Sequence, residues 1–370
     1  MTERLAELVV AGDLVLDEPD ADHWLSGIAP ALRAADLAIG HLEVPHTDRR
    51  KEVRGDVPAP GAPPGNLAAL ALAGFDVVTL AGNHIADCGA QGIADTIRGL
   101  EAVGVAHCGA GSDLVEARRP LFRKVKGWRV ALLSDDCVGP EFAWATPDSA
   151  GCASIPLATP AGGPMTPLAR VARIAPAAFD ILEDDIARAK EEADFVLVSM
   201  HKGRVHTPAV LEPYERPLAH AAIDRGADAV IGHHAHIARG IEFHRGKPIF
   251  HGLGNGCVVT RALSPTQDHP ARRQWAERRK ALFGFEPEPG YDLAPFHPEA
   301  KLAMLGKLTL GVKGRVEAAV VPVFVEPPGR PVLAEGARAD QVCRYLEDIT
   351  VDGGMPAIAI DHDGRVRETA

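Results

Sequence analysis

The sequence has no surplus of basic residues with which it could bind nucleic acid. Its 370 residues include 39 Lys and Arg against 50 Asp and Glu, which gives a formal net charge of −11. Proteins that hold nucleic acid neutralise its phosphates with clustered cations. The charge balance therefore argues against a nucleic-acid partner, and it places no restriction on a peptide or small-molecule substrate.

Long apolar runs, a leader sequence and paired cysteines are also missing. No stretch approaches the ~18 apolar residues that a membrane span needs, and the acidic Glu3 precedes any run that could form a signal peptide. The six cysteines are scattered without a C-x-x-C pair, which favours free thiols in a reducing compartment. We therefore expect a cytoplasmic protein without a membrane partner.

The signatures of nucleotide cofactors are absent as well, since the sequence has neither a P-loop nor a Rossmann fingerprint. Aromatic residues make up only 5% of the chain, whereas 37 Gly and 30 Pro are typical of an α/β protein with many loops. Short apolar strands alternate with stretches of helical spacing. We predict one α/β domain over residues 1–370, with loop insertions at about 137–176 and 264–299.

Three histidines follow a short apolar strand at residues 229–231. Gly232 lets the chain turn, and the next four residues include His233, His234 and His236. Side chains at positions i and i+2 of an extended turn can face one point, so His234 and His236 are predicted to bind the same metal ion. Neutral imidazole is a common ligand of transition metals. A histidine loop without a ligand is the alternative, but three histidines in four residues favour a metal site.

Four other predicted strands also end in residues of metal-ligand type. Each residue taken alone could cap a segment, hold a turn or face solvent. Their joint occurrence at strand ends, where α/β folds place their sites, indicates a single centre. The residues are Asp13, Glu43, Asn83 with His84, and His201.

Taken in order, these segments resemble the motifs of the metallo-dependent (calcineurin-like) phosphatase superfamily. The closer resemblance is to its CapA-like branch, which is related to capsule and poly-γ-glutamate synthesis, and it covers about residues 5–260. It implies a four-layer αββα sandwich with a metal centre at the strand ends. The motifs are Gly12-Asp13, Leu42-Glu43, Gly82-Asn83-His84, His201-Lys202-Gly203 and residues 232–236.

The resemblance also implies roles for individual residues, carried over by position. His84 occupies the place of the superfamily's general acid. One or two divalent ions are expected, and the oxygen ligands leave room for manganese, calcium or magnesium, while the histidines leave room for zinc or iron. The implied metal ligands are Asp13, Glu43, Asn83, His201, His234 and His236.

The chain departs from the family pattern at several places. Two-metal phosphatases usually have Asp-x-His in the first motif, but Asp13 is followed by Leu14 and Val15, so one histidine ligand is missing. Glu43 replaces a bridging aspartate, a substitution that the CapA-like branch shares. A symmetric two-metal clamp on phosphate is correspondingly less well supported. Further departures are His41 for Asn, Lys202 for Trp and His251 for Tyr.

The CapA-like branch includes lasso-peptide epimerases, which this chain resembles in length and in its weakened first motif. Inverting a Cα centre of a ribosomal precursor peptide needs one group to remove the proton and another to return it from the opposite face. We predict that Asp13 and His297, in the second insertion, form this pair, with the metal acting as a Lewis acid. The alternative for His297 is a loop histidine beside Pro298 that takes no part in catalysis.

Two other functions remain open. A phosphomonoesterase or phosphodiesterase would use a metal-activated water and His84 as general acid. A non-catalytic accessory protein of exopolymer synthesis would be expected to carry a membrane anchor or export signal, and it would not need the full ligand set. For a peptide substrate, the two insertions are natural walls of a groove. Their aromatic residues include Phe142, Trp144, Phe283, Phe285 and Tyr291.

Overall fold

The computed structural model describes residues 5–49, 61–160, 162–171, 173–261, 268, 270–293 and 296–369. Within them the strands, in chain order, are β1 (Ala6–Leu16), β2 (Leu37–Leu42), β3 (Val77–Thr79), β4 (Ala106–Cys108), β5 (Ala110–Gly111), β6 (Leu121–Val125), β7 (Trp128–Asp136), β8 (Gly151–Cys152), β9 (Leu157–Ala158), β10 (Arg173–Ile174), β11 (Phe195–His201), β12 (Ala229–His233), β13 (Ile241–His244), β14 (Lys247–Phe250), β15 (Asn255–Val259), β16 (Leu302–Gly311), β17 (Arg315–Glu326), β18 (Arg330–Leu333), β19 (Ile358–Ile360) and β20 (Val366–Glu368). The helices are α1 (Ala21–Leu25), α2 (Ala29–Ala34), α3 (Ala68–Ala73), α4 (Gly89–Ala102), α5 (Leu114–Ala117), α6 (Pro176–Lys190), α7 (Glu215–Asp224), α8 (Pro270–Phe283) and α9 (Ala337–Asp352).

The first large sheet is organised around β1. On one side, the first half of β1 pairs with β16 and the second half pairs with β15. Its strand order is β18-β17-β16-β1-β2-β3-β4, and β15 pairs with the second half of β1. Strands β1 to β4 are parallel, whereas β16, β17 and β18 continue the sheet as antiparallel neighbours. The carboxyl ends of the parallel strands therefore meet at one edge of this sheet.

The second large sheet has the order β13-β14-β12-β11-β7-β6. Its inner strands β14, β12, β11 and β7 are parallel, and β13 and β6 are antiparallel strands at the two edges. The apolar sequence of β11, Phe195–His201, is buried at every position, as expected for a parallel strand that is covered on both faces.

The two sheets stack with helices on their outer faces. On β1, Leu8 and Val10 enter the core between the sheets, whereas Val9 and Ala11 face the layer that contains α1 to α4. On β11, Leu197 faces the inter-sheet core and Val198 faces α6 and α7. This period-two alternation across three cores gives the predicted four-layer αββα sandwich, and the fold prediction is confirmed.

Two local expectations from the sequence differ from the structure. The first strand does not end at Asp13 but continues to Leu16, because the second half of β1 gains β15 as a parallel partner. The second insertion is not only loop, since it contains the charged helix α8.

Among the described residues, no helix is both long and apolar enough to cross a membrane. The single-domain assignment stays a prediction.

The close approach of β1 to the segment before β15 requires glycine. A Cβ atom added at Gly12 would lie 1.9 Å from the carbonyl oxygen of Gly254, and one at Gly256 would lie 2.8 Å from the Gly12 oxygen. The next residue, Asp13, donates its backbone N–H to the Gly254 oxygen at 3.0 Å. The missing side chains therefore allow the backbone contact that brings Asp13 beside Asn255.

We expect Gly12→Ala to destabilise the protein by ~1–3 kcal/mol or more, because a methyl group cannot be accommodated against backbone atoms without moving β1 or β15. Thermal unfolding followed by circular dichroism measures the effect. The matched control is Gly65→Ala, whose added Cβ would have no heavy atom within 4 Å. Equal melting temperatures for the two variants would contradict the packing argument.

Candidate metal centre

Asp13 lies at an irregular point of β1. The pairing of β1 with β2 shifts between Val10 and Asp13, and the pairing with β15 shifts directly after Asp13. Its side chain is fully buried, and its carboxylate accepts the backbone N–H of His234 at 3.2 and 3.4 Å. The carboxylate of one sheet thus contacts the histidine turn of the other.

One group of donor atoms surrounds His201, the last residue of β11. Its Nε2 atom lies 2.7 Å from Oδ1 of Asn83 and 3.1 Å from Nδ1 of His234. Glu43, His201 and His234 each offer a ligand atom within 4.8 Å of the others. Together with the Asn83 amide oxygen, these residues offer a carboxylate, an amide and two imidazoles to one ion.

A second group of donor atoms shares Glu43. Nε2 of His236 lies 3.2 Å from Oε1 of Glu43, and its Nδ1 lies 3.7 Å from Oδ2 of Asp13 and 3.0 Å from Oδ1 of Asn255. Asp13, Glu43 and His236 again satisfy the 4.8 Å separation. Because Glu43 belongs to both groups, its carboxylate would help to hold an ion in either of them.

The turn after β12 has an unusual backbone conformation. His234 and His236 have φ angles of 84° and 52°, in the left-handed region that non-glycine residues seldom adopt. Strain of this kind is typical of functional sites, where the surrounding structure fixes the conformation. Here it directs alternate imidazoles of the turn toward the carboxylates.

Several buried polar atoms of this centre have no hydrogen-bond partner among the described residues. Such atoms are costly to bury unless something else satisfies them. The atoms include Oε2 of Glu43, Nε2 of His41, Nδ1 of His201 and Nε2 of His234. A divalent cation would satisfy the Glu43 oxygen, which is a lone-pair donor, whereas the orphaned nitrogens of His201 and His234 are the ring atoms opposite those in the first donor group.

The pKa values of the two buried carboxylates shift in opposite directions. Burial, followed by the neighbouring Glu43 charge, raises the pKa of Asp13 to about 6. Burial acts on Glu43 in the same direction, but His236 outweighs it and lowers the pKa of Glu43 to about 2. Burial opposes the charge of His236, yet Glu43 and Asp13 raise its pKa to about 9. The protein's own groups thus compensate the negative charge of only one of the two carboxylates.

The other imidazoles are held neutral. Burial, and then His236, lowers the pKa of His234 to about 3, and burial together with His234 and His41 lowers the pKa of His201 well below its usual value. Neutral imidazole is the form that binds metal ions. The histidine charge states therefore suit a metal centre.

Two histidines that the sequence analysis did not assign as ligands also enter this centre. His41 shares a donor triple with Asp13 and His201, and its ring stacks on that of His233 with centroids 4.6 Å apart. His233 Nδ1 lies 3.4 Å from Oδ1 of Asp13. Strand alternation could have indicated both, since His41 precedes Glu43 by two residues and His233 follows Ile231 of the inter-sheet core by two.

His84 and His297 lie outside the donor triples that the described residues form. Nδ1 of His84 is 2.6 Å from Oδ2 of Asp87, and its charge lowers the pKa of Glu43 and of His234. The His297 ring contacts the edge of Phe285, with centroids 4.6 Å apart, and its Nδ1 accepts the Glu299 N–H at 3.1 Å. His84 thus borders the centre, and His297 stands among the aromatic residues of the second insertion.

Two departures from the family pattern belong to one buried network behind His201. Nζ of Lys202 lies 2.8 Å from Oε2 of Glu215 and 3.2 Å from the backbone oxygen of His251. Nε2 of His251 lies 2.9 Å from Oε2 of Glu242. Because a buried charge must be paired, the lysine at 202 and the polar group at 251 are physically linked substitutions.

The four-layer αββα sandwich has carboxylate, amide and imidazole donors at the ends of parallel strands in both sheets, which defines an α/β protein with a candidate metal centre. The family described as "Bacterial capsule synthesis protein PGA_cap" matches residues 7–258. The chain belongs to this family, and the predicted CapA-like relationship is confirmed.

Individual relatives agree with the family assignment. The chain is 28% identical to the capsule biosynthesis protein CapA of Bacillus anthracis over 248 residues, which are 65% of this chain and 55% of that protein. It is 30% identical to the PGA biosynthesis protein CapA of Bacillus subtilis over 263 residues, 69% of this chain and 63% of that protein. The chain therefore matches less than two thirds of the length of either relative.

A third relative and one solved structure complete the comparison. A probable polyglutamine synthesis accessory protein of Mycobacterium tuberculosis is 35% identical over 198 residues, 52% of this chain and 47% of that protein. The calcineurin-like phosphoesterase YfkN of Bacillus subtilis is a structural neighbour with a TM-score of 0.41 and 14% identity, covering 94% of this chain and 99% of that one.

We expect Glu43→Gln to weaken Mn²⁺ binding by more than the ~10–100-fold that outer-shell changes cost, because it removes a charge shared by both donor groups. His236→Ala removes a donor from one group only and should lower the number of bound ions before it abolishes binding. Calorimetric titration of the metal-stripped protein gives both quantities. His23→Ala, an exposed histidine, is the matched control. Unchanged Mn²⁺ affinity in Glu43→Gln would contradict the assignment of the centre.

Proposed function

We propose that this protein is a metal-dependent peptide epimerase, which inverts a Cα centre by removing a proton on one face and returning one on the other. The observation that carries the proposal is the position of the second insertion. Phe296 lies against the His236 ring at 5.9 Å, and the same insertion carries Phe285 and His297. An aromatic binding region with its own titratable group thus adjoins the carboxylates.

Asp13 suits the role of a base. Its motif lacks the histidine of the usual Asp-x-His pattern, because Leu14 and Val15 follow it. Its carboxylate has a backbone N–H and His233 Nδ1 as its nearest nitrogen neighbours. The other group has Glu43, Asn83, His201 and His234 available for an ion. An ion could therefore be held by these four residues while the Asp13 carboxylate is at least partly uncoordinated.

His297 is the candidate for the opposite face. A series of ring contacts connects it to the centre, from His297 to Phe285, from Phe285 to His206 and from His206 to His236, with centroid separations of 4.6, 5.5 and 5.8 Å. Asp13 lies next to His236 at the other end of this series. A peptide bound along these rings would have Asp13 at one end of the series and His297 at the other.

The reaction conserves protons. A bound divalent ion would polarise the substrate carbonyl and acidify the neighbouring Cα–H. Asp13, as carboxylate, accepts the Cα proton and becomes a carboxylic acid. His297, whose pKa burial lowers and whose Nδ1 accepts the Glu299 N–H, has to give up that contact and take a proton from solvent before it donates one to the opposite face and becomes neutral. The relatives' names, which refer to capsule, PGA and polyglutamine synthesis, support a substrate with amide linkages.

In D2O, the metal-loaded protein is expected to incorporate one deuterium at a Cα atom of both isomers of a substrate peptide, as measured by mass spectrometry. Asp13→Asn and His297→Ala should each lose exchange with a different isomer, by ~10²-fold or more, because each variant retains the base for one face only. The control is His23→Ala, because His23 is exposed and has no part in the proposed reaction. Full exchange of both isomers in both variants would refute the assigned pair.

A second candidate, phosphoester hydrolysis, is favoured by one specific observation. The His84–Asp87 contact of 2.6 Å orients an imidazole whose side chain is only 12% exposed at the border of the donor groups. A carboxylate that orients an imidazole in this way positions the ring to act as a general acid toward a leaving group.

If the protein hydrolyses phosphoesters, His84→Ala should lower turnover of p-nitrophenyl phosphate by ~10²-fold or more, and Asp87→Asn should lower it less, because the carboxylate only positions the ring. The release of p-nitrophenol at saturating Mn²⁺ measures both effects. Equal turnover in wild type and His84→Ala would remove His84 from the mechanism and leave the epimerase as the better explanation of the site.

A further inference from the structure

Asn255 is the first residue of β15 and the register partner of Asp13 on β1. It is only 2% exposed. Its place is set by the close approach of the two backbones, in which the Asp13 N–H donates to the Gly254 oxygen at 3.0 Å. The Asn255 amide is therefore held at a defined position beside the Asp13 carboxylate.

The Asn255 amide contacts one nitrogen of the His236 ring. Its Oδ1 lies 3.0 Å from Nδ1 of His236, and Oδ2 of Asp13 lies 3.7 Å from the same nitrogen. Amide and carboxylate oxygens accept hydrogen bonds and do not donate them. The hydrogen in this contact therefore belongs to Nδ1, and the Asp13 oxygen favours the same orientation of the Asn255 amide.

The other nitrogen of His236 faces the second buried carboxylate. Nε2 lies 3.2 Å from Oε1 of Glu43. When the ring is neutral and its hydrogen is on Nδ1, Nε2 carries a lone pair, and two lone pairs at this distance repel each other unless a cation joins them. A divalent ion bound by Nε2 and the Glu43 oxygen removes this repulsion and uses the neutral ring that metal binding requires.

The Asn255 contact also distinguishes the two orientations of the His236 ring. A half-turn of the ring would place Cδ2 against the amide oxygen and Cε1 where Nε2 now faces Glu43, so both contacts would be lost together. His206 stacks on the same ring with centroids 5.8 Å apart and planes 26° from parallel. Stacking holds the plane of the ring, whereas only the amide selects which edge meets the carboxylate.

We infer that Asn255 is a positioning residue of the metal centre, which holds His236 in the orientation and tautomer that present Nε2 to an ion shared with Glu43. Partners of this kind orient the histidines that bind metal ions. Asp13 then adjoins the N–H side of the ring and not the nitrogen that binds the ion. Its use as a base in this arrangement rests on the proposed function, and the positioning role of Asn255 does not.

A crystal structure of the full chain with Mn²⁺, in which anomalous scattering locates the ions, tests the orientation in the wild-type protein. We expect an ion bonded to Nε2 of His236, with Nδ1 still in contact with Oδ1 of Asn255. An ion bonded to Nδ1, or no ion at His236 at saturating Mn²⁺, would overturn the inference without recourse to any variant.

Variants test the contribution of the amide. Asn255→Leu removes the acceptor at nearly constant volume and should weaken binding of the ion that uses His236 by ~10–100-fold, the usual effect of losing an outer-shell partner. The ion held by His201 and His234 should keep its affinity. Asn255→Asp retains an acceptor oxygen and should bind Mn²⁺ no more weakly than wild type. Calorimetric titration of the metal-stripped proteins gives the affinity and the number of ions.

The matched control is Asn66→Leu. The Asn66 amide donates to the backbone oxygens of Leu16 and Glu18, at 2.8 and 3.0 Å, near the other end of β1. Its loss should leave Mn²⁺ affinity unchanged. An equal loss of affinity in Asn66→Leu, or in Asn255→Asp, would show that packing around β1 and not the acceptor matters, and would overturn the inference. Circular dichroism confirms that each variant is folded.

The outcomes separate this positioning role from the proposed reaction. An ion on Nε2 in wild type and weaker binding in Asn255→Leu, without Cα deuterium exchange in D2O, support the positioning role and reject the epimerase. Deuterium exchange together with an ion on Nδ1 supports the epimerase and rejects the positioning role.

Discussion

Two carboxylates buried side by side impose the main constraint on this structure. Asp13 and Glu43 are at most 1% exposed, and each makes burial of the other's charge more costly. The single cationic group in contact with both, among the described residues, is His236. Burying unbalanced charge is expensive, so the neighbouring neutral imidazoles and their free lone pairs make sense as the shell of a divalent cation. Without an ion, protonated His236 supplies part of the counter-charge; a bound ion would take over that charge and leave His236 as a neutral ligand.

This constraint couples the two sheets. Asp13 and Glu43 come from one sheet and the histidines of residues 201–236 from the other, so the centre forms only when the four layers are stacked. Glycine at positions 12 and 232 permits the close contacts with the segment that leads from β14 to β15. A Cβ added at Gly12 would lie 1.9 Å from the Gly254 oxygen, and one added at Gly232 would lie 2.1 Å from the His251 oxygen. Behind the centre, the paired charges of Lys202 and Glu215 fill the space next to His201. The fold and the site therefore depend on the same contacts.

The sequence predicted the parts of this arrangement that depend on regular repetition. Apolar strands ending in ligand-type residues gave the sandwich and brought Asp13, Glu43, Asn83, His201, His234 and His236 together in one place. The place of His41 among the donor atoms was not predicted, although strand alternation puts it on the same face as Glu43. The link between Lys202 and His251 is not predictable from local spacing, because they are 49 residues apart. The sequence analysis treated the second insertion as a loop, although it contains α8, because its mostly polar helix has little apolar periodicity.

The residues that would decide the substrate lie beyond the part of the chain that defines the family. The family match ends at residue 258, whereas Arg279, Phe285, Phe296 and His297 all follow it. Family membership accordingly accounts for the donor atoms and leaves the second insertion unexplained. In that region Nη2 of Arg279 and Nδ1 of His206 are buried without a hydrogen-bond partner among the described residues, and both side chains lie near the Phe285 ring. The donor atoms of the candidate metal centre thus lie within the residues that match the family, and the aromatic residues beside them lie in the second insertion, beyond the match.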